Sequence, residues 1–378
     1  MDQTGRYSPP IRPIASVAFI LLGVAAMPNG ARANDCEDAA QEEARSAIDR
    51  LLADGAAGVE IRLGRNEDSV VLRGGVEQIG RPKPFPREGR FRAFSTTKTF
   101  TAVVVLQQVA EGKIVLDAPI ESYLPNLLPA GDRITVRMLL QQTSGLHDYA
   151  NVLQPDDRAA VRDRYVTYSP AQLVAASVAR PLDFEPGERH EYSNTNYIVL
   201  GMLIERIAGR SYAHEVYRRI LAPLELDDTF VPTTSPFIPG PHGHGYLDPG
   251  DGLVDITHYN PSLFYAAAAI ISTTADVDAF FHALLNGELL GPEQLREMQN
   301  VTPSERLIYD GYGLGLYRMT TACGRQIWGH GGGGLGYFTF PLSTLDGSRR
   351  ITVLITIGRQ APDLQTVFDL FDAYFCAE

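Results

Sequence analysis

Two kinds of apolar pattern divide the chain. Apolar runs bounded by turn residues predict strands, and apolar residues at helical spacing predict helices. The predicted strands are residues 59–63, 69–73, 312–318, 337–340 and 351–357, and the predicted helices are residues 37–53, 99–106, 197–208, 275–286 and 362–375. Strands at both ends flank a helical middle. We therefore expect an α+β fold, with an antiparallel sheet built from both chain ends, flanking helices and an inserted, mainly helical region.

The N-terminal 33 residues predict an export signal. Arg6 and Arg12 precede an apolar run at 14–27, and Ala31-Arg32-Ala33 has the small-x-small form of a cleavage site. An uncleaved membrane anchor is the alternative, although the run is short for a membrane span. We predict an exported chain, periplasmic or secreted, from which residues 1–33 are removed.

Residues 34–378 are expected to form a single domain. Its α/β part comprises about 34–115 and 305–378, and its helical part about 116–304. The full chain has a net charge of −12. Loss of the signal removes three arginines and one aspartate, which leaves a mature chain near −14. Such an acidic balance argues against nucleic acid and anionic membrane surfaces as partners. No other segment of the sequence is apolar enough to span a membrane, and we expect a monomer.

Cysteines and histidines set limits on cross-links and metals. Cys36, Cys323 and Cys376 in an exported chain predict one disulfide and one free thiol, and three pairings remain open. His242-Gly243-His244 lies in a Pro/Gly-rich stretch and predicts a surface loop rather than a ligand pair. We therefore expect neither a metal nor a cofactor.

Ser95-Thr96-Thr97-Lys98 comes directly before the predicted helix at 99–106 and has the spacing of an activated nucleophile. Residues three apart share a helix face, so the Lys98 ammonium can lie beside the Ser95 hydroxyl. A helix N-terminus favours negative charge on that hydroxyl, and a lysine that accepts its proton activates it. The spacing alone is weak evidence, because Ser-x-x-Lys occurs by chance about once in such a chain.

Tyr192-Ser193-Asn194 lies in a polar loop before the helix at 197–208. A phenol and an amide two residues apart can face the same side of an extended loop. A tyrosine whose pKa is lowered by a neighbouring cation could act as a general base. Taken alone, the triplet is better explained by Ser193 or Asn194 capping the helix.

Residues 328–337 form a glycine-rich segment that includes Gly-x-Gly-x-x-Gly at Gly331, Gly333 and Gly336. A dinucleotide site requires a helix next, and residues 337–340 predict a strand, so we exclude that function. A glycine-rich edge strand could pair with an extended substrate and offer a backbone N–H to an oxyanion. A plain loop explains the segment equally well.

Together and in this order, Ser-x-x-Lys at 95–98, Tyr-x-Asn at 192–194 and His-Gly-Gly at 330–332 resemble the motifs of the penicillin-recognising serine hydrolases. The last two forms are similar to the branch of class C β-lactamases, serine D,D-carboxypeptidases, D-aminopeptidases and related esterases. The likeness covers residues 91–376, including Thr-Ser-Gly-Leu at 143–146, and is greatest to the secreted Streptomyces-type D-alanyl-D-alanine carboxypeptidases. It implies a β-lactamase/transpeptidase-like fold.

The resemblance also implies catalytic roles. Ser95 would be the acylated nucleophile, Lys98 its partner and Tyr192 the proton shuttle. Asn194 would bind the acyl amide of the substrate. The backbone N–H groups of Ser95 and Gly333 would form the oxyanion hole. Such a set supplies a nucleophile, a proton shuttle and donors aimed at developing negative charge, as acyl transfer requires.

Two further implications concern the glycine-rich strand and the cysteines. His330 would occupy the substrate-binding strand position that other branches fill with lysine. A disulfide would join Cys323 to Cys376, and Cys36 would then be unpaired.

The chain departs from the carboxypeptidase pattern where the terminal carboxylate of the substrate would bind. The arginine position is occupied by Tyr317, and the hydroxyl positions of the strand are Gly331 and Gly333. Arg318 is adjacent but should face the other side of its strand. A charge-assisted bond to a carboxylate contributes about 1.5–3 kcal/mol, so its loss favours esters, amides or differently ended peptides as substrates.

The sequence therefore predicts an exported, carboxypeptidase-like serine acyl-hydrolase that acts on D-amino-acid peptides, amides or esters. An esterase or a weak class C-type β-lactamase is the alternative within enzymes. A β-lactam-binding or peptidoglycan-binding protein that stalls after acylation, or does not react, is the alternative from another class. The expected partners are small peptide, amide or ester substrates and β-lactams.

Overall fold

The computed structural model describes residues 29–304, 306 and 308–377, with side chains from residue 38 onward. Its strands are β1 (Ala56–Arg65), β2 (Asp68–Gly75), β3 (Phe91–Arg92), β4 (Tyr246–Leu247), β5 (Val254–Asp255), β6 (Ile271–Ser272), β7 (Thr302–Pro303), β8 (Gly311–Tyr312), β9 (Tyr317–Thr320), β10 (Gln326–Gly329), β11 (Gly332–Gly334), β12 (Tyr337–Thr344) and β13 (Arg349–Ile357). Its α-helices are α1 (Asn29–Ala53), α2 (Thr97–Ala110), α3 (Val136–Leu140), α4 (Tyr149–Leu153), α5 (Asp157–Arg162), α6 (Pro170–Val178), α7 (Asn194–Ala208), α8 (Tyr212–Val216), α9 (Tyr265–Ala268), α10 (Thr274–Leu285), α11 (Pro292–Gln299) and α12 (Gln365–Cys376).

The predicted signal segment, residues 1–33, lies outside the described residues except for residues 29–33, which belong to α1. Within the described ranges, no helix is both long and apolar enough to cross a membrane. Cleavage and export therefore remain predictions from the sequence.

The strands of both chain ends meet in one antiparallel sheet. In the described part of the chain its order is β2-β1-β13-β12-β10-β9-β8-β7, and β11 pairs with β12. β1 runs beside β13, so that Ile61 lies opposite Val353. The predicted α+β fold, with a sheet completed by both ends and a helical region inserted between its strands, is confirmed.

Alternation along the central strands supplies an apolar surface to each face of the sheet. On β13, Val353 belongs to the apolar cluster that α1 and α12 cover, whereas the next residue, Leu354, belongs to the larger cluster shared with the helical region. α10 packs on this second face against β12 and β13. The candidate site lies where the two clusters meet, because Phe94 belongs to the larger cluster and Tyr317 and Phe340 belong to the cluster that α1 and α12 cover.

Residues 312–318, predicted as one strand segment, form two short strands and a turn. Gly315 has φ +75°, and the Gly313 N–H donates to the Leu316 carbonyl over 2.8 Å. Glycine adopts this left-handed backbone conformation without steric cost, which allows the chain to reverse. The reversal places Tyr312 on β8 opposite Tyr317 on β9.

A disulfide links the turn after β9 to the end of the last helix. Cys323 is bonded to Cys376, the pairing that the resemblance implied. The side chain of Cys36 lies outside the described residues.

Candidate active site

Ser95 lies in a single 3₁₀ turn, Phe94–Thr96, directly before α2. Phe94 has φ +46°, a left-handed conformation that an L-residue with a side chain adopts only under constraint. Its ring packs edge-on against Phe264, with the centroids 5.4 Å apart. The aromatic packing fixes the turn and so presents the Ser95 hydroxyl at the start of the helix.

Lys98 is completely buried, and its Nζ contacts three oxygens. The distances are 3.1 Å to Ser95 Oγ, 2.7 Å to Asn194 Oδ1 and 3.0 Å to the Ala267 carbonyl. Burial lowers the pKa of Lys98 to about 7, Asp148 opposes this effect and Arg306 adds to it. A substantial fraction of Lys98 is therefore neutral near pH 7.

Asp148 fixes which way the Asn194 amide faces. Asn194 Nδ2 donates to Asp148 Oδ2 over 2.8 Å, and a carboxylate can only accept. Asn194 Oδ1 is consequently turned toward Lys98. Neither Asp148 nor Ala267 was predicted from the sequence. Ala267 contributes a backbone carbonyl, which every residue type has, so its identity in the sequence gives no indication of this contact.

The capping interpretation of the Tyr-Ser-Asn triplet is wrong in its main point. Ser193 is the N-cap of α7, but its hydroxyl makes no capping bond and is buried without a partner among the described residues. Asn194 is the first helical residue, and its side chain bonds Lys98 and Asp148. The side-chain chemistry of the triplet is therefore directed to the site rather than to the helix terminus.

The expectation of a lowered pKa for Tyr192 is also wrong. Burial raises its pKa well above the usual range, Tyr312 adds to the shift and the Ser95 hydroxyl opposes it. Lys98 Nζ lies 4.8 Å from the Tyr192 ring centroid. Near neutral pH, Tyr192 is thus a protonated phenol, a proton donor, while Lys98 is the group able to accept a proton.

The glycine-rich segment forms an edge strand, β11, that lies against the nucleophile turn. Thr96 Oγ1 donates to the His330 carbonyl over 2.9 Å. A Cβ on Gly332 would lie 2.0 Å from the Ala93 carbonyl oxygen and 3.0 Å from Ser95 N. Only glycine permits this approach of two backbones. The loop alternative is thereby replaced by a strand that reaches Ser95.

His330 and Tyr317 both bond the backbone at Gly331. His330 Nδ1 lies 2.8 Å from the Gly331 carbonyl, and the Gly331 N–H donates to Tyr317 Oη over 2.8 Å. His330 Nε2 lies 2.8 Å from Tyr312 Oη. Burial, with a further contribution from Lys98, lowers the pKa of His330 to about 3, so the imidazole is neutral.

A cleft of about 200 Å³ opens beside Ser95. Its lining is Ser95, Tyr192, Arg306, Ile308, Tyr309, Tyr317, His330, Gly331, Gly332, Gly333, Phe338, Phe340 and Leu364. Side chains of the cleft already occupy the space beside Gly331 and Gly333, because a Cβ at Gly331 would lie 3.0 Å from Tyr317 Oη and 3.1 Å from the Phe340 ring, and a Cβ at Gly333 would lie 2.8 Å from the Phe338 ring. The surface beyond β11 is accordingly apolar where a hydroxyl was expected in a carboxypeptidase.

Arg306 was not identified from the sequence. Its guanidinium carbon lies 5.1 Å from the Tyr192 ring centroid, and the residue is exposed at the rim of the cleft. The residue lies on a connecting segment outside all three motifs, so no motif spacing pointed to it.

Within the described ranges, no three His, Cys, Asp or Glu side chains lie close enough together to hold a metal ion. His242 and His244 lie in the connection before β4, with their rings 5.4 Å apart. His244 Nδ1 is 2.6 Å from Asp255 Oδ2.

Ser95, Lys98 and Tyr192 thus lie together at one site, and comparison with known proteins identifies the family of the chain. The model of the family described as Beta-lactamase matches residues 44–364, so the chain belongs to this family. The family and its solved relatives support a hydrolase. The particular branch inferred from the motifs is not distinguished by this match.

Three individual proteins are similar to the chain. A D-stereospecific amidohydrolase from Streptomyces sp. is 36% identical, with a TM-score of 0.81, over 89% of this chain and 99% of that one. The D-amino acid amidase from Ochrobactrum anthropi SV3, complexed with L-phenylalanine amide, is 26% identical, with a TM-score of 0.79, over 90% and 98% of the two chains. The putative penicillin-binding protein PbpX of Bacillus subtilis is 27% identical over 60% of this chain and 53% of its own length.

Proposed function

We propose that the chain is an exported serine amidohydrolase that cleaves amides of apolar D-amino acids through an acyl-enzyme on Ser95. The observation that carries the proposal is the hydrogen-bond set of Lys98. Two of its three oxygen contacts, Asn194 Oδ1 and the Ala267 carbonyl, can only accept. A neutral lysine therefore gives them its two N–H groups, and its lone pair is left for the Ser95 hydroxyl.

Acylation then begins with proton transfer from Ser95 Oγ to Lys98 Nζ as Oγ attacks the substrate carbonyl. The negative charge that develops on the carbonyl oxygen would be stabilised by the N–H groups of Ser95 and Gly333. The Gly331 N–H points away from β12, to Tyr317. Because N–H groups two residues apart on a strand point the same way, that of Gly333 is expected at the free edge of β11.

Collapse of the tetrahedral intermediate breaks the C–N bond. The Tyr192 phenol donates its proton to the departing nitrogen, and the phenolate that results takes a proton from the Lys98 ammonium. Both groups return to their starting states. Water then attacks the acyl-enzyme with the same groups acting in the reverse order, which releases the amino acid and restores Ser95.

The substrate class follows from the cleft and from the relatives. Phe338, Phe340 and Leu364 provide an apolar surface beside Ser95 that suits an aromatic or branched apolar group. Two of the similar solved structures, each covered over nearly its whole length, are a D-stereospecific amidohydrolase and a D-amino acid amidase. Together these observations favour D-amino acid amides over esters and β-lactams.

A carboxypeptidase-like activity on D,D-peptides is the second candidate, and Arg306 favours it. Its guanidinium lies beside Tyr192, the group proposed to protonate the leaving nitrogen. A terminal carboxylate on the leaving group could pair with it there. Arg306 lies in the segment between β7 and β8, whereas the arginine position of the carboxypeptidase pattern is held by Tyr317 on β9.

A substrate panel with a matched mutant tests the proposal. The panel comprises D- and L-phenylalanine amide, D-Phe-D-Ala, a short-chain nitrophenyl ester and a chromogenic cephalosporin. We expect the D-amide to be preferred over the L-amide. Ser95→Ala should abolish turnover, and Ser46→Ala, on α1, should not change it. Turnover by Ser95→Ala would refute the mechanism. A preference for D-Phe-D-Ala over the D-amide would select the second candidate. Stable labelling by a fluorescent penicillin without turnover of any substrate would indicate a binding protein.

A further inference from the structure

The strand that carries Gly333 is held at its start by side chains. β11 pairs with β12 on one side, and the peptide that joins His330 to Gly331 precedes it. The carbonyl of this peptide accepts from Thr96 Oγ1, and its N–H donates to Tyr317 Oη. Thr96 of the nucleophile turn and Tyr317 of β9 therefore bind the same peptide group through hydrogen bonds on opposite sides.

The next peptide is held by the His330 ring, and its partners determine one tautomer. The Gly331 carbonyl can only accept, so Nδ1 carries the proton. In a neutral imidazole Nε2 can then only accept, and Tyr312 must donate its hydroxyl proton to it. Tyr312, His330 and the Gly331 carbonyl thus form a directed chain of two hydrogen bonds, each 2.8 Å long.

The side chain of Tyr312 is held in place by its surroundings, so its hydrogen bond to His330 has a fixed geometry. It is fully buried on β8 and lies opposite Tyr317 in the β8–β9 pair. Its ring is 5.6 Å from the His330 ring and 6.2 Å from the Tyr192 ring. The hydroxyl that donates to His330 Nε2 therefore belongs to the same hairpin that binds the Gly331 N–H.

We propose that Tyr312 is a positioning residue, which holds His330 in one neutral tautomer so that the imidazole fixes the Gly331 carbonyl and directs the Gly333 N–H toward the substrate oxygen at Ser95. This inference rests on the proposed function, in which Gly333 is an oxyanion donor. It also assigns His330 a hydrogen-bonding role that a cation at the same position cannot fulfil, because an ammonium has no acceptor for Tyr312.

Kinetics of three variants test the proposal on the substrate with the highest turnover. Tyr312→Phe should lower kcat about 10-fold, less than outright loss of an oxyanion donor, and leave KM within about 2-fold because the contact matters chiefly in the transition state. His330→Gln can still accept and donate and should retain more activity than His330→Lys. The control is Tyr374→Phe, which removes another buried hydroxyl, bonded to the Gly64 carbonyl, and should leave kcat unchanged. Full activity of Tyr312→Phe or of His330→Lys would overturn the proposal.

The tautomer itself provides a readout that does not depend on turnover. In the ¹⁵N-histidine spectrum of the full chain, the signal absent from His330→Gln belongs to His330. It should show a protonated Nδ1 and a bare Nε2 without titration between about pH 5 and 8, and Tyr312→Phe should mix the tautomers. An Nε2–H form in the wild type, or ordinary titration, contradicts the proposal. Absence of any substrate turnover with the expected tautomer would instead refute the proposed function alone.

Discussion

Lys98 and His330 flank Ser95, and burial lowers the pKa of both basic side chains, yet only the pKa of Lys98 remains near neutral pH. On the nucleophile side, formed by Ser95, Lys98 and Asn194, the negative charge of Asp148 opposes the effect of burial, and the pKa of Lys98 is about 7. On the oxyanion side, formed by residues 330–334, the charge of Lys98 adds to burial, and the pKa of His330 is about 3. Burial is the largest cause in both cases, so the two groups differ mainly because the ordinary pKa of an ammonium, 10.5, is higher than that of an imidazole, 6.5.

The two sides also differ in how they are built. The nucleophile side is a helix start packed into the apolar core, with its polar groups arranged by side chains of α7 and by the carbonyl of Ala267. The oxyanion side is a glycine strand fixed by Thr96, Tyr317 and His330. We therefore expect substitutions on the nucleophile side to remove a reactive side chain. Substitutions on the oxyanion side should instead displace a backbone N–H group that is still present.

The largest effect should come from removing the base. Lys98→Ala is expected to lower kcat by about 10³-fold, within the range for loss of a general base. Lys98→Arg should not rescue it, because a guanidinium stays protonated. The measurement is steady-state turnover on the preferred amide, with Lys113→Ala, an exposed lysine paired to Glu111, as the control. Substantial activity in Lys98→Arg would show that another group accepts the Ser95 proton.

A methyl group on the oxyanion strand should have the next largest effect. In Gly332→Ala the new Cβ meets the Ala93 carbonyl at 2.0 Å, so one backbone must move, and we expect kcat to fall about 10²-fold. In Gly333→Ala the nearest atom is 2.8 Å away in the Phe338 ring, which can rotate aside. The loss of kcat should therefore be smaller. The reverse order would mean that β11 does not approach Ser95 as described.

The electrostatic difference between the two sides can be tested with Asp148. Wild-type kcat/KM should fall as pH drops below about 7, since Lys98 must be neutral to accept a proton. Asp148 raises the pKa of Lys98, so Asp148→Asn lowers it, and the acid limb of the profile should move to lower pH. The plateau should also fall several-fold, because Asn194 loses the carboxylate that orients its amide.

The matched control for that experiment is Asp117→Asn. Asp117 is paired with Arg137 away from the cleft, and its loss should leave the acid limb in place. An unchanged limb in Asp148→Asn would indicate that Lys98 is not the titrating group.

The smallest effect on activity is expected at the disulfide. Replacing both Cys323 and Cys376 with serine removes a cross-link that closes 53 residues, worth about 4 kcal/mol in the chain-entropy model. The double variant should melt at a lower temperature in calorimetry and keep its kcat at 25 °C. A normal melting temperature would show that the bond contributes nothing to stability, whereas a loss of kcat would place the cross-link in control of the oxyanion side.

Much of the fold was predictable because its apolar periodicities are strong. The predicted helices at 197–208 and 275–286 correspond to α7 and α10, and the predicted strands at 59–63 and 351–357 correspond to β1 and β13. The segment at 312–318 was less predictable. A tight turn with positive φ at Gly315 interrupts a β-rich composition there, and composition does not report a backbone angle.

The features of the candidate site also differ in how far the sequence predicted them. Ser95, Lys98 and Asn194 were predicted because each carries its chemistry in a side chain at motif spacing, and the structure brings them within hydrogen-bond distance. The pKa direction of Tyr192 was predicted wrongly, because burial outweighs the nearby cation and burial is a property of the packed molecule.

The sequence by itself determined the periodicity of the main elements, the types of chemical group and the order in which they occur along the chain. The tertiary structure alone decided that Asp148 orients Asn194, that the Ala267 carbonyl takes one N–H of Lys98 and that Tyr312 faces His330. These contacts join residues 18 to 169 positions apart. Their protonation states depend on how much water the packed chain excludes, and no local pattern encodes that quantity.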